Sequence, residues 1–256
     1  MSHALIYAYG VVGTPVPEQT LSLLGESLFN YSCSDRIVVI CRRVDADTFG
    51  EEALERQVQD TDWLEGQVRH HMWVLNTLLD QGPVVPFRFP TIYYSLVSLT
   101  DAIAAVSTSL AASLDRVRGC REWEIAFSAD PLQLEATAAS MNTELVTLDA
   151  EIARSGSGRA YLLGKKRADL IASVVRDFFS EQVERIMAEP AALGITCKPF
   201  SGIGSQQSPV SIKKACLIPE ALQQSVASHL EAHQAKLGKM GITYTIRGPW
   251  PPFSFV

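Results

Sequence analysis

The sequence predicts an α+β fold in two domains: a ferredoxin-like α/β sandwich over residues 1–130, then an α+β domain with a long helical hairpin over residues 131–256. Two observations lead to this prediction. In the first half, short apolar segments of strand length alternate with long amphipathic segments of helix length. In the second half, two long helical segments flank a short Gly/Ser-rich break, which is typical of an antiparallel helix pair.

The strands of the first domain are predicted from short apolar runs bounded by turn residues. Residues 4–10 form the first strand, and residues 27–32 and 36–41 form a hairpin. Residues 84–89 follow a Gly-Pro turn, and residues 122–128 alternate as a half-buried strand does. All five strands are expected in one antiparallel or mixed sheet.

Two helices are predicted to cover one face of this sheet. The first begins at Asp62, because its carboxylate can cap the free amides of the first turn and Glu65 lies at the capping-box position. Gly82 and Pro83 end it, and a second helix spans residues 95–114. The apolar stripe of the first helix is predicted to consist of Leu64, Val68, Met72, Leu75 and Leu79.

The second domain is predicted to open with a helix capped by Asp130, with Pro131 at its first position. Apolar residues continue the helical spacing to Ile152, residues 154–158 break it, and a second long helix spans residues 160–188. The remaining elements are predicted as strands at 194–198, 210–217 and 242–247, a mobile loop at 199–209 and a helix at 219–237.

Composition and charge exclude several classes of protein. The chain has 47% hydrophobic and 20% charged residues, which fits a folded globular protein. Its net charge is −6 and no basic cluster covers one face, so nucleic-acid binding is not expected. No apolar run approaches the ~20 residues of a membrane span, and no secretory signal is recognisable. We therefore expect a soluble, cytoplasmic protein without a membrane partner.

The cysteine pattern indicates reduced thiols. The number of cysteines is odd, no pair has C-x-x-C spacing, and two lie in apolar runs as small buried side chains do. Reduced cysteines are typical of cytoplasmic proteins. The five residues are Cys33, Cys41, Cys120, Cys197 and Cys216.

Histidine pairs do not define a catalytic or metal site. His229 and His233 lie one helical turn apart, but the H-E-x-x-H order that places a glutamate on metal-bound water is missing. A boundary histidine pair is therefore favoured over metal binding. His70 and His71 point about 100° apart on a helix and cannot easily chelate together. A ferredoxin-like small-molecule-binding protein or enzyme that uses one of these two remains the alternative from another class.

Two glycine-containing segments also lack the pattern that phosphate binding requires. The segment from Gly158 to Lys166 has one residue too many between its two glycines. It also has a lysine, Lys166, at the position where a magnesium-binding Ser or Thr belongs. Gly202 and Gly204 lack a third glycine and a following helix. We therefore expect no cofactor, no metal and no enzymatic activity.

Two surface features are candidates for partner binding. The basic cluster Lys165, Lys166 and Arg167 is either a solvated helix face or a contact for an acidic partner. The C-terminal tail, Gly248-Pro-Trp-Pro-Pro-Phe-Ser-Phe-Val256, is kept extended by three prolines and ends in apolar residues. Its side chains Trp250, Phe253 and Phe255 either fill a groove in their own domain or serve as an exposed apolar anchor.

Four stretches, in order along the chain, resemble the gas vesicle protein F/L family. They are the strand Ala4-Leu-Ile-Tyr-Ala-Tyr-Gly10; Asp62-Trp63-Leu64-Glu65 with Gly82-Pro-Val-Val-Pro-Phe-Arg88-Phe89; Gly158-Arg-Ala-Tyr-Leu162 with the basic cluster; and the terminal motif Gly248 to Phe255. Pro90 departs from the family, which usually has Gly after this Arg-Phe pair, so the turn here is expected to differ.

The resemblance implies a non-enzymatic, cytoplasmic protein associated with gas vesicles. Its implied partner is the small, hydrophobic major gas vesicle shell protein, whose aggregation it limits while it helps to nucleate or extend the shell. Other gas vesicle accessory proteins are possible partners. A minor structural component of the shell is the alternative within the same resemblance.

Structural roles are expected for three residues and for the tail. Arg88, at the end of a buried strand, is expected to anchor strand to helix through a carboxylate or several carbonyl groups. Asp62 and Trp63 are expected to fix the start of the first long helix. The tail is expected to dock on the C-terminal domain and to leave an edge of Trp250 or Phe253 accessible to the shell protein.

Overall fold

The computed structural model describes residues 4–25, 27–200 and 211–256. The chain divides into two compact units, Met1–Glu122 with Pro249–Val256, and Trp123–Gly248. The predicted boundary near residue 130 thus lies inside the second unit. The tail, which the sequence assigned to the C-terminal domain, belongs to the first unit. The predicted loop at 199–209 lies almost entirely outside the described residues.

The first unit contains an antiparallel sheet whose strand order is ferredoxin-like. The order is β2-β3-β1-β4, and the short strand β5 also pairs with β1. The strands are β1 Ala4–Val12, β2 Leu28–Ser34, β3 Ile37–Asp45, β4 Val84–Pro86 and β5 Ile92–Tyr93. The helices are α1 Glu18–Leu23, α2 Ala46–Phe49, α3 Glu51–Gln57, α4 Thr61–Gln81 and α5 Leu96–Arg116.

Helices cover both faces of this sheet, not one face as predicted. On one face, Tyr7 and Tyr9 of β1 pack in a core with Val74 and Leu78 of α4. On the other face, the alternate residues of β1 pack against α5, in a core that contains Ile6, Ala8, Val11, Leu99, Ile103, Leu110 and Leu114. Alternate side chains of a strand point to opposite faces, so β1 is apolar throughout because both faces are buried.

The first long helix begins one residue earlier than predicted and has a different cap. The Asp60 carboxylate accepts hydrogen bonds from the amides of Asp62 and Trp63, at 3.0 and 3.2 Å. Asp62 lies in the first turn, where its charge favours the positive end of the helix dipole. The buried stripe is His71, Val74, Leu75, Leu78 and Leu79, whereas Val68 of the predicted stripe is exposed.

The second unit contains a four-stranded sheet in the order β7-β8-β6-β9. Strand β6, which the sequence placed in the first sheet, therefore lies in the second. The strands are β6 Cys120–Ala129, β7 Thr196–Pro199, β8 Ser211–Pro219 and β9 Ile242–Trp250. The helices are α6 Pro131–Met141, α7 Thr143–Arg154, α8 Ser157–Ala192 and α9 Gln223–Lys239, with a short 3-10 helix at Glu220–Leu222.

The single helix predicted from Pro131 to Ile152 is two helices in the structure. Asn142 separates them, and its side-chain Oδ1 accepts a hydrogen bond from the Leu145 amide at 3.0 Å. Asparagine competes in this way with the helical backbone, so the spacing of apolar residues continues through the break. The predicted hairpin is present, with α7 and α8 packed together on either side of residues 155 and 156.

Two cysteines form a disulfide, contrary to the expectation that all five are reduced. Cys197 and Cys216 face each other in the antiparallel pair β7–β8 and are bonded. Sequence spacing did not indicate this bond, because the pairing depends on strand register. Cys33, Cys41 and Cys120 are free thiols.

One helix of the described chain, α5, is long and apolar enough to cross a membrane by length and composition. Core helices of soluble proteins meet the same criterion. Only 22% of the most apolar 18-residue segment of α5 is buried, however, so much of its apolar surface faces outward.

Helix α8 contains a proline near its end, and a histidine of α9 replaces the missing backbone donor. Pro190 has no N–H for the carbonyl of Ile186, which lies four residues earlier. The Nε2 atom of His229 lies 2.8 Å from that carbonyl oxygen, and its Nδ1 lies 3.0 Å from a carboxylate oxygen of Glu189. Donation from Nε2 to the carbonyl ties α9 to α8.

Replacing His229 by alanine is expected to lower the free energy of unfolding by about 1–3 kcal/mol, because the Ile186 carbonyl loses its partner. In a Pro190→Ala background the new backbone amide can donate to the Ile186 carbonyl. The His229→Ala replacement should then lower the free energy of unfolding by a smaller amount. Urea denaturation of the four proteins in this double-mutant cycle measures the difference. An equal cost in both backgrounds would contradict the assignment.

Candidate interaction surfaces

The tail segment 249–256 packs within the first unit. Phe255 is 1% exposed, and Phe253 packs against the core formed by β1 and α4. Trp250 remains 42% exposed. The tail therefore docks within the same chain, as the sequence indicated, but on the other domain.

Polar contacts fix the backbone of this segment. The amide and the hydroxyl of Ser254 donate to the two carboxylate oxygens of Glu122, at 2.9 and 2.7 Å. The Arg116 guanidinium donates to the carbonyl of Phe255 at 2.8 Å. Glu122 is buried, so this charge-assisted pairing satisfies a carboxylate that would otherwise be costly to bury.

The basic cluster of α8 is largely neutralised within the second unit. Arg167 pairs with Asp149 of α7 at 2.6 Å, and Lys166 lies 3.2 Å from Glu144. The Lys165 ammonium lies 5.4 Å from the ring centroid of Tyr161. Two of the three cations thus join α8 to α7, and Lys165 stays at the exposed surface with an aromatic neighbour.

Arg88 does not occupy the buried position expected of an anchor. Its side chain is exposed, and the polar contact in this segment is made by its backbone carbonyl, which accepts from the Thr91 hydroxyl at 2.7 Å. The buried cation of the first unit is Arg42. Trp63 does have a structural position, because its ring packs against Phe49 at 5.8 Å between centroids.

Arg42 lies among aromatic rings beneath α4. Its guanidinium carbon is 5.0 Å from the ring centroid of Tyr7 and 5.1 Å from that of Phe49. A guanidinium N–H donates to the side-chain oxygen of Gln67 at 3.2 Å. The faces of aromatic rings attract cations, which offsets part of the cost of burial. Sequence reasoning missed this residue because Arg42 follows an apolar run and carries no motif.

His71 is held as a neutral imidazole in the same cluster. Its Nε2 lies 2.9 Å from the Phe87 carbonyl oxygen and must carry the proton, whereas Nδ1 accepts from the Tyr7 hydroxyl at 2.8 Å. Burial, with the charge of Arg42 as a smaller cause, lowers the pKa of His71 to about 4. Burial also raises the pKa of Tyr9 to about 12. Burial therefore favours the neutral forms of His71 and Tyr9 beside the charged Arg42.

Neither histidine pair forms a metal site in the described part of the chain. No group of three or more His, Cys, Asp or Glu side chains there is placed to hold an ion. The rings of His229 and His233 are tilted by 46° with their centroids 4.5 Å apart, and His229 already contacts the Ile186 carbonyl and Glu189. Both ring nitrogens of His71 are engaged as well.

The outer face of α5 is the surface that sequence analysis did not single out. Val97 is 69% and Val106 is 46% exposed, and the helix carries no charged residue between Asp101 and Asp115. Its exposed residues over this span are Ala102, Ala104, Ala105, Val106, Thr108, Ser109 and Ala112. The signal in the sequence is the apolar content of residues 95–114, from which we predict a second helix but no exposed face.

The architecture matches that of solved gas vesicle proteins. The GvpF structure from Anabaena sp. aligns with a TM-score of 0.70 at 14% identity, covering 98% of this chain and 95% of that chain. GvpF from Microcystis aeruginosa aligns with a TM-score of 0.67 at 16% identity, covering 99% of both chains. At these identities the likeness shows the α+β fold alone.

Sequence comparison identifies the family. Gas vesicle protein L2 of Halobacterium salinarum is 27% identical over 206 residues, which is 77% of this chain and 72% of the relative. Gas vesicle protein L of a Streptomyces species is 25% identical over 227 residues, which is 86% of this chain and 79% of the relative. The model of the gas vesicle synthesis protein GvpL/GvpF family matches residues 5–256, so the chain belongs to this family. The resemblance carried by the four sequence stretches is confirmed.

The packing of Phe255 predicts a measurable contribution of the tail to stability. Phe255→Ala should lower the free energy of unfolding of the first unit by about 3–5 kcal/mol, because a fully buried ring is removed. Val256→Ala, at a position 43% exposed, should change it by less than about 0.5 kcal/mol. Urea denaturation followed by near-UV circular dichroism provides the measurement; similar values for the two variants would contradict the docking.

The neutral state of His71 predicts a pH dependence of stability. With a pKa of about 4 in the folded protein against 6.5 ordinarily, His71 takes up a proton on unfolding between these values. The stability it contributes is therefore lost as pH falls from 6.5 toward 4, by up to about 3 kcal/mol. The difference in unfolding free energy between wild type and His71→Gln, measured from pH 7 to 4, should shrink accordingly. A constant difference would refute this assignment, and His70→Gln provides the control for a neighbouring, less buried imidazole.

Proposed function

We propose that this protein is an accessory factor of gas vesicle assembly that binds the major gas vesicle shell protein, limits its aggregation and helps to nucleate or extend the shell. Membership of the GvpL/GvpF family supports a role in vesicle synthesis. The observation that carries the binding role is the uncharged, exposed outer face of α5.

This face has the chemistry of a contact for apolar protein surface. Asp101 and Asp115 lie near its two ends, and the residues between them are alanines, a valine and small hydroxyl side chains. Small side chains allow the backbone of a second helix to approach closely. The charged residues at the two ends of the face help to keep the protein in solution although the face is uncharged. The opposite side of α5 is fixed in the core of the first unit, so the face is presented on a rigid support.

A subunit that will face gas exposes apolar surface before it is assembled. Such surface aggregates unless another protein covers it. A binder for this purpose needs apolar contact area with a polar rim, and it does not need a catalytic site. We therefore propose a non-enzymatic function in the cytoplasm, next to the growing vesicle.

Two further surfaces belong to the proposal as secondary contacts. The exposed edge of Trp250 can add aromatic contact area while the rest of the tail holds the first unit together. Lys165 can contact an acidic group of the shell protein or of another accessory protein. The partly buried Phe253 and the buried Phe255 are proposed to stabilise the first unit and to act on binding only through Trp250.

The charge of the α5 face provides the test. In co-expression with affinity-tagged major shell protein, Ala105→Glu/Ala112→Glu should reduce the amount of this chain recovered by at least about tenfold, because two carboxylates would be buried in an apolar contact. The matched control is Ala232→Glu/Ala235→Glu, which adds the same charges to exposed alanines of α9 and should bind as the wild type does.

The outcomes distinguish an error in the proposed function from an error in the proposed binding surface. If the wild-type chain does not bind the shell protein, the proposed function is wrong. If the wild type and the α5 variant bind equally, the function stands and the α5 surface is wrong. Recovery of the chain from washed, intact vesicles would instead favour the alternative that it is a minor structural component of the shell.

A further inference from the structure

The outer face of α5 leaves large apolar side chains uncovered as well as small ones. Val97 is 69% and Val106 is 46% exposed, and Tyr94, just before the helix, is 80% exposed. A contiguous exposed apolar surface marks an interaction site on a soluble protein. Another surface of the same chemistry can cover this face when no shell protein is bound to it.

The N-terminal half of the face carries one negative charge. Asp101 is exposed, and it is the only charged residue in the sequence from Leu96 to Leu114. Its carboxylate stands beside exposed apolar side chains, where a cation on a partner surface would compensate it.

The C-terminal end of the face carries a net positive charge. The guanidinium groups of Arg36 and Arg118 share the single carboxylate of Asp115, at 2.9 and 3.0 Å. Arg116 is also exposed, and its hydrogen bond goes to a neutral backbone carbonyl. Even with the exposed Asp35 included, three arginines stand against two aspartates. The two ends of the α5 face are therefore complementary in charge to each other.

We propose that two copies of this chain associate through α5, in an antiparallel helix pair with two-fold symmetry. An antiparallel pair brings the N-terminal end of each helix next to the C-terminal end of the other. Asp101 of each copy then meets the arginine cluster of the second copy, so the favourable contact is made twice.

The sequence of the face selects one register for this pair. When Asp101 lies opposite Arg116 of the second copy, Ala105 lies opposite Ala112, and Thr108 lies next to the symmetry axis. Small side chains at these positions allow two helix axes to approach to about 8 Å. A shift by one residue would place Asp101 opposite Asp115 of the second copy, where like charges repel.

The size of the contact predicts a weak dimer. Helix α5 has 21 residues and is thus about 30 Å long, and a contact strip about 12 Å wide covers roughly 400 Å² of each copy. The total, about 800 Å², is below the roughly 1,200–2,000 Å² of stable complexes, so we expect micromolar affinity and rapid exchange.

Such a dimer would regulate the site proposed for the shell protein, and this consequence rests on the proposed function. Free copies cover each other's apolar face, and an apolar surface that fits α5 better displaces the second copy. The dimer thus holds the protein in a soluble form until the shell protein is present.

Sedimentation of the purified full chain tests self-association without the shell protein. Between about 1 and about 200 μM the weight-average mass should rise from 28.0 kDa toward twice that value. Asp101→Arg and Arg118→Glu should each weaken the dimer about tenfold, because attraction at both ends becomes repulsion. The double variant Asp101→Arg/Arg118→Glu reverses both signs and should dimerise again as the wild type does.

Asp177→Arg is the matched control, because it makes the same change at an exposed position of α8 and should leave the dimer unchanged. A wild-type chain that stays monomeric at the highest concentration would overturn the proposal. A dimer that neither single variant weakens, or that the double variant does not restore, would show that α5 is not paired in this way.

Cysteine cross-linking tests the register. In a Cys33→Ser/Cys120→Ser background, Thr108→Cys should form a disulfide-linked dimer on mild oxidation, because its two copies lie next to the axis. Val97→Cys should not, since its two copies are about 35 Å apart in this register. Val97 is 69% exposed, so links from chance collisions would form there at least as readily. Equal cross-linking of the two variants would contradict the antiparallel pair.

Co-expression with the major shell protein separates this inference from the proposed function. The Thr108→Cys cross-link should decrease when the shell protein is present, because the two partners compete for α5. A dimer that forms alone and whose cross-link is unchanged by bound shell protein would refute the competition. If the shell protein does not bind at all, the proposed function is wrong, whereas the sedimentation result for the dimer is unaffected.

Discussion

Burial of strand β1 on both of its faces is the constraint on which the first unit depends. From Leu5 to Val12 every residue is buried, with β3 and β4 on its two edges and helical cores on its two sides. Burial on both faces favours the apolar side chains of this strand, and the hydroxyl of Tyr7 is paired with His71 inside the core. Gly10 shows how little room is left, because a Cβ there would lie 2.7 Å from the Val85 carbonyl oxygen.

The aromatic cluster under α4 follows from the same constraint. Arg42 extends from the strand next to β1 into a buried region, where aromatic ring faces and the Gln67 side chain lie close to its guanidinium. A protonated His71 would place a second cation beside it, so the charge of Arg42 adds to burial, which is the main cause of the low pKa of His71. Both ring nitrogens of His71 are used in contacts that join β1, α4 and the segment after β4.

Local signals in the sequence were sufficient for most elements but not for their partners. Asp130 and Pro131 marked a helix start, Gly82 and Pro83 a helix end, and apolar runs the strands, because these features act through neighbouring backbone. The sheet that contains β6, the covering of both faces of the first sheet, the Cys197–Cys216 pair and the docking site of the tail depend on residues far apart in sequence. The candidate site divides in the same way. The sequence shows the apolar composition of α5 but not which side of the helix is exposed. It also favours Arg88 as the buried cation, whereas the structure buries Arg42, because the burial of a residue at a strand end depends on the elements that pack over it.

The arrangement of the tail has a consequence for biosynthesis. The first unit takes its last side chains, including Phe255, from a segment that the ribosome makes only after the whole of Trp123–Gly248. At about 5–20 residues per second, the nascent first unit waits on the order of ten seconds with the Phe255 site unfilled and Glu122 without Ser254. Synthesis of residues 249–256, and not the appearance of the first 122 residues, therefore sets the moment at which this unit reaches its mature packing.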